Sequence, residues 1–437
     1  MKRYALVLMV GFCASLVSLS CGGYHSNSNT TTSGSKLTER VLASESVTTS
    51  IVFGGLVIIN GQNDTLPPAN RLSAGASPGL MALSPTRNIV ASFDGSSNTV
   101  FTFDTTSENN IGSVRILGPT SSMVVPLASP IVYAAVPSAT VTGFTFQGAI
   151  QALNFSTGSS TAIAVGNAQT VVASSSGSQL LVFSNDSDSM TLISPGLASP
   201  PVDTSCYTNP NNGVCTIVPG FDRPVFAIVN GTTAYVLNCG AQCGGTQASV
   251  AIFDLNSLTI TNTIPVDAAT WALLSGSTLY VAGTSPSPAN NTCAPQTTAA
   301  TICGRLDIVD LGSNTVTASA VITDGYHDRM DMTTNGQLFI GSHDCTNIGN
   351  VNTPSGEVRG CLSIYHTADG SVFVPPDNGD VNGLQGFTTR TVEYVAQGGN
   401  LRVYDITKDI LLINDFLPEG TINIVGYIGD VKAIDYF

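Results

Sequence analysis

The sequence predicts an all-β chain folded as a β-propeller of eight four-stranded blades. Three observations carry this. Apolar runs of four to six residues, each ended by Gly, Asn, Asp or Ser, recur along the 437 residues. Two hairpin types alternate, eight copies of each. The chain opens on the second type and ends on the first, an offset that a closed ring removes. The plainest copy is SVAIFDLNSLTITNTIPVDAATWALLSGSTLYVAGT, residues 249–284. A sheet this small cannot cover both its faces alone, so it must stack on copies of itself. Closing the ring leaves only short sheet edges. Residues 117–193 are the least regular, and seven blades is the alternative they leave open.

Residues 1–20 read as a signal peptide. Lys2 and Arg3 precede an apolar stretch, residues 4–19, too short for a membrane span and of signal length. It ends in Ser18-Leu19-Ser20-Cys21-Gly22-Gly23. This resembles a bacterial lipobox, although Ser18 stands where that pattern prefers Leu. The resemblance implies lipidation at Cys21 and a membrane anchor, in the bacterial cell envelope, exported on the periplasmic side or the cell surface. Residues 21–50 are rich in Ser, Thr, Asn and Gly and read as a flexible tether. His25 lies in it. Residues 51–437 are assigned to the propeller.

Strands are lettered A to D from the centre of each blade outward. The outer hairpins begin at LVIINGQNDTL (56–66) and continue through TVFTFDTTSENN, AIQALNFSTGSS, QLLVFSNDSDSMTLI, SVAIFDLNSLTI, RLDIVDLGSNTV, CLSIYHTADGSV and LRVYDITKDILL. Asp104, Asp254, Asp310 and Asp405 share one position, where a short acceptor closes the turn onto backbone N–H groups. The inner hairpins begin at GLMALSPTRNIVASF and end at INIVGYIGDVKAIDYF; TAIAVGNAQTVVAS is read as one of them. Asn230-Gly231 and Asn335-Gly336 are hairpin turns. Closure predicts that 56–66 shares a sheet with 422–437.

Net charge is −14 with 15 Lys and Arg, and 10% of residues are charged. No basic cluster stands ready to neutralise phosphates, so nucleic acid is not an expected partner. No GxSxG, HExxH, P-loop or GxGxxG in a βαβ setting is present, and no catalytic residue is assigned.

Ten Cys occur. Cys13 leaves with the signal. Eight fall in local pairs, Cys206/Cys215, Cys239/Cys243, Cys293/Cys303 and Cys345/Cys361. In an exported chain these read as four disulfides. Three lie in B–C loops; Cys206/Cys215 is read into a D–A connection. B–C and D–A loops emerge on one face, which is thus expected to carry all four staples and every long insertion.

His327 and Asp328 open strand A of a blade whose strand B ends at His343 and Asp344. Topology places these four at the same face. Two His and two carboxylates suit a divalent metal; hydrogen bonding to loop backbone is the structural alternative. No other cofactor is expected. The Asp222-Arg223 pair parallels Asp328-Arg329 and suggests an ion pair in both blades. His366 replaces the turn Asp of its repeat. Residues 185–189 read as a solvated turn, lacking the Gly and Glu of an EF-hand loop. Trp271, the only Trp, reads as a strand A core residue, which leaves an aromatic-lined cleft unsupported.

Tyr235-Val236-Leu237-Asn238 and Leu279-Tyr280-Val281-Ala282-Gly283 resemble the YVTN repeat of bacterial propellers, and LDIVDLGSNTV is similar to that family's next strand. The resemblance spans most of 51–437. It implies the propeller fold. Relatives include lactonases, but no lactonase catalytic position maps onto this chain. The expected function is a tethered, monomeric, non-catalytic protein that binds a protein or polymer through its stapled loop face. The alternative is a propeller hydrolase, lactonase-like or metal-dependent, with its site near His327 and His343.

Overall fold

The structure, a computed structural model, describes residues 37–47, 54–68, 71–126, 131–184, 186–194, 214–293, 301–348 and 358–435. The signal segment, Cys21, His25, Asn185 and Cys206 lie outside them. The described chain forms eight antiparallel sheets arranged as an eight-bladed propeller. Blades 1 to 7 follow the chain: residues 78–115, 122–164, 168–219, 224–265, 271–322, 326–373 and 381–422. Blade 8 closes the ring. Its strand A is the C-terminal Tyr427–Asp435, and its strands B to D are Glu39–Ser46, Gly55–Asn60 and Arg71–Leu72.

Period-two alternation builds the core. Each middle strand sends alternate residues to opposite neighbours. Val41 packs toward blade 7 and Leu42 toward blade 1; Leu279 packs toward blade 4 and Tyr280 toward blade 6. Eight apolar clusters result, one between each pair of neighbouring blades. This is why strands B and C read as apolar runs rather than as alternating ones.

The turn carboxylates act as expected. Asp104 Oδ1 accepts from the N–H groups of Thr106 and Ser107 at 2.9 and 2.7 Å. Asp254, Asp310 and Asp405 each take the N–H two residues on. His366 does not cap its turn. It reaches across to Asp409 of blade 7 at 2.7 Å.

Three expectations need correction. The stretch read as tether contains strand Glu39–Ser46, six of whose eight residues are buried. Arg40, Ser44 and Glu45 are among the buried ones, so a core strand looks polar by composition. Closure is therefore three strands plus one. Thr421–Ile422 belongs to blade 7, where it and Ile410–Leu411 share strand C Asn400–Asp405. Finally, 161–174 is not an inner hairpin, and 179–193 is not an outer one. Ser159–Ala164 is strand D of blade 2, Ala168–Ala173 is strand A of blade 3, and Leu180–Ser184 and Ser189–Ile193 are its B and C. Its strand D, Cys215–Pro219, was read as loop. The two errors offset each other, so the blade count stands.

The shift moves Cys215. It opens a strand D, so it sits at the C–D end of its blade, opposite the other three pairs. Cys215 is disulfide-bonded. Cys239–Cys243, Cys293–Cys303 and Cys345–Cys361 are disulfides of the B–C loops, as expected. No helix among the described residues is long and apolar enough to cross a membrane.

At the A–B and C–D face, ion pairs join blade 8 to both neighbours. Arg40 meets Glu108 at 2.8 Å, and Arg87 meets Asp435. Arg390 grips Asp64 with two bonds of 2.8 and 2.9 Å. Nearby, Asp331 and Glu393 face each other across blades 6 and 7, and Asp331 Oδ2 accepts from Gly386 N–H at 2.8 Å. Burial, with Asp331 beside it, holds the Glu393 carboxyl well above the usual range. Burial likewise pushes Asp331 up to about 6, against the pull of Arg87 and Lys432.

Candidate functional site: the channel mouth and its stapled loops

Each strand A starts at the B–C and D–A face and runs down the central channel. Trp271 and Tyr326 are the first residues of their strands, and Phe226 the third of its own. All three therefore stand near the same mouth. The channel holds a cavity of about 560 Å³. Its mouth on blades 4 to 6 is aromatic. Phe226 and Trp271 stack with ring centroids 3.9 Å apart and planes 19° off parallel, and Tyr326 beside them is 41% exposed. Leu80, Leu83, Val124 and Val171 line the other side. Asp328, Arg329, Asp430 and Lys432 supply charge. Trp271 is thus a channel residue and not a core one, and an aromatic-lined cavity exists. Aromatic residues opening successive inner strands were the legible signal.

The four residues expected to converge separate into two places. Asp328 and His343 meet at the rim, Nε2 to Oδ1 at 3.1 Å, and Arg329 Nη1 holds the other oxygen of Asp328 at 3.1 Å. The bond to Asp328 raises the His343 imidazole above its ordinary value. His327 alternates to the other side of the strand and is fully buried. Its Nε2 lies 3.0 Å from the Thr323 carbonyl. Burial pushes it down to about 4, so it is neutral at pH 7. Gly304 makes room: a Cβ there would lie 2.7 Å from the imidazole. Asp344 donates its backbone N–H to Asp380 at 2.9 Å. Among the described residues no group of three or more His, Cys, Asp or Glu is placed to hold one metal ion.

The parallel Asp-Arg pairs also diverge. Asp328 pairs with Arg329, but Asp222 turns to the neighbouring loop. It accepts from Thr246 and Gln247 N–H at 3.0 and 2.7 Å and from the Thr246 hydroxyl. Burial raises its pKa, but these bonds outweigh that and lower it overall. Gly245 is required there, because a Cβ would sit 1.9 Å from Asp222 Oδ1. Asp324 does the same for the Cys345–Cys361 loop, accepting from Thr346 N–H and hydroxyl at 2.9 and 2.6 Å. Arg223 meets Asp188 at 3.6 Å.

The stapled loops are joined to each other. Gln242 Oε1 accepts from Thr284 N–H at 2.9 Å, linking blades 4 and 5. Arg359 Nη1 donates to the Ile302 carbonyl at 3.2 Å, linking blades 6 and 5. Sequence reasoning missed Arg359. Nothing in its Asn- and Gly-rich surroundings signals a buried guanidinium.

The stapled loops and the aromatic mouth share the B–C and D–A face. The disulfides suggest an oxidising, exported environment. No protein-family model matches the chain, and no curated protein does. Among solved structures, the chain is similar to the dihydro-heme d1 dehydrogenase NirN in complex with DHE. That likeness has a TM-score of 0.56 at 10% identity and covers 92% of this chain and 76% of that one. Kuenenia stuttgartiensis hydrazine synthase aligns at TM-score 0.42 and 12% identity, over 76% of this chain and 77% of that one. The first likeness, like the sheets themselves, is one of fold: this chain is an eight-bladed β-propeller.

Proposed function

We propose that the protein is an exported, YVTN-like binding propeller, tethered through a lipidated Cys21, that holds a protein or polymer chain over its channel mouth without chemistry. The aromatic mouth, ringed by stapled and mutually bonded loops, carries this reading. Rigid aromatic rings give large contact at little entropic loss, and loops already fixed lose less freedom on binding. The path of the chain supports the tether. Glu39 pairs with Asp435 at the face opposite the mouth, so the first strand of the propeller begins on the side away from the binding face.

A propeller hydrolase is the second reading, and one observation favours it. His343 is held by Asp328 at the same rim, an arrangement suited to moving protons. Probing glycan and peptide arrays with labelled protein, beside its Tyr326→Ala and His343→Ala variants, separates the readings. Binding lost with Tyr326→Ala and kept with His343→Ala supports the binding module. Binding indifferent to Tyr326→Ala overturns it. Trp271 fluorescence reports directly on anything that enters the channel.

A further inference from the structure

The three described disulfides sit in different electrostatic settings. Cys303 is 2% exposed, and the Arg359 guanidinium lies 3.3 Å from its sulfur. Its partner Cys293 is partly exposed. At the next staple the neighbours are oxygens: Asp380 Oδ1 and Asn347 Oδ1 each lie 3.7 Å from Cys361 Sγ, and Cys345 is itself buried. Cys239–Cys243 has one partly exposed cysteine, Cys243, but among the described residues no Lys or Arg donates to either of its sulfurs as Arg359 does to Cys303.

Exchange at a disulfide needs an exposed sulfur to attack and a stable thiolate to leave. A guanidinium against a thiolate favours its charged form, whereas a carboxylate opposes it. Only Cys293–Cys303 combines both requirements among these three. We infer that Cys293–Cys303 is a thiol–disulfide exchange site for an external thiol, with Cys293 the sulfur attacked and Cys303 the leaving thiolate. The thiolate RS⁻ bonds to Cys293 Sγ as the Cys293–Cys303 bond breaks. The electron pair and the negative charge pass to Cys303 Sγ, against Arg359. A second thiol then attacks the mixed disulfide, frees Cys293 and leaves as the oxidised disulfide. Between the two steps Cys303 stays in place, because its N–H remains bonded to the Asn291 carbonyl at 2.8 Å. Arg359 touches the leaving sulfur and stabilises its charge. Its partner Asp324, 3.6 Å away, is the positioning residue: it orients Arg359 without touching the sulfurs.

The test exposes the folded protein to glutathione, quenches with acid and maps labelled cysteines by peptide mass. The expected result is that Cys293–Cys303 opens at least fivefold faster than the other two, with the glutathione adduct on Cys293. Arg359→Met is expected to slow opening by about threefold for each pK unit by which the leaving thiol rises, and Arg359→Lys to restore most of the rate. Another pair opening first, an adduct on Cys303, or an unchanged rate in folded Arg359→Met overturns the assignment. If Arg359→Met does not fold, the order of opening and the adduct position decide it.

Discussion

On the face where strands B turn into strands C, three loops are each closed on themselves by a disulfide, and Asp222 and Asp324 from the D–A turns hold two of them down through backbone N–H groups. On the opposite face the bonds run between blades, and they gather at blade 8, where Arg40, Arg87 and Arg390 pair with partners across its two boundaries. The contrast follows from what each face must fix. A long polar loop has too little apolar surface to order itself, so a covalent link limits its entropy. The seam has ample apolar packing but must join a strand from one end of the chain to three from the other. Directional, buried ion pairs specify that register.

The most drastic way to break the comparison is to remove the strand both faces share. Deleting 427–437 exposes the edge of Glu39–Ser46 and the apolar side of blade 7. Cooperative thermal unfolding should disappear from calorimetry; a truncated protein with an unchanged transition would show that the ring does not depend on closure.

Next in size is the seam. Arg390→Ala leaves Asp64, 2% exposed at its side chain, as a buried charge without its guanidinium. Such losses cost about 3–5 kcal/mol, read in denaturant unfolding. A loss under 1 kcal/mol would mean the seam is held by packing alone.

The staples come third. Chain entropy gives about 3 kcal/mol for replacing Cys345 and Cys361 by Ser and about 2 kcal/mol for Cys239 and Cys243. Hydrogen exchange should rise in the B–C loops and not at the seam. Increased exchange at Arg390 or Asp64 would show that the two faces are coupled.

The acid pair at the seam face gives a pH signature. Both folded pKa values lie above their unfolded ones. The folded state therefore binds more protons, and its stability declines as pH rises from 3.8 through about 6 and beyond. Glu393→Gln should flatten this slope and stabilise the protein at pH 8. A slope that persists places its origin elsewhere. The smallest expected change is Tyr326→Ala: being 41% exposed, it should alter stability by no more than about 0.5 kcal/mol while removing a wall of the mouth.

The architecture was legible because alternation and turn residues repeat, and errors in one blade do not spread through a repeat. What escaped was polar or short. Glu39–Ser46 hides a buried Arg and Glu in a composition that reads as linker. Cys215–Pro219 is five residues at a blade's outer edge, where partial exposure erases the apolar signal. The His cluster failed for a local reason. A one-residue irregularity in the pairing between His327 and Arg329 sets which residues face the channel, and that register cannot be read from spacing.

Blade 8 also fixes a timetable. Its strands B to D are among the first parts of the propeller to be synthesised, and its strand A is the last. Until residue 435 is available, Glu39–Ser46 presents an unpaired edge that another copy's Tyr427–Asp435 fits as well as its own. At high concentration two nascent chains could exchange these strands and close as a dimer of identical rings. Keeping the early strands from pairing before the ring closes is thus a demand the topology places on whatever handles the unfolded chain.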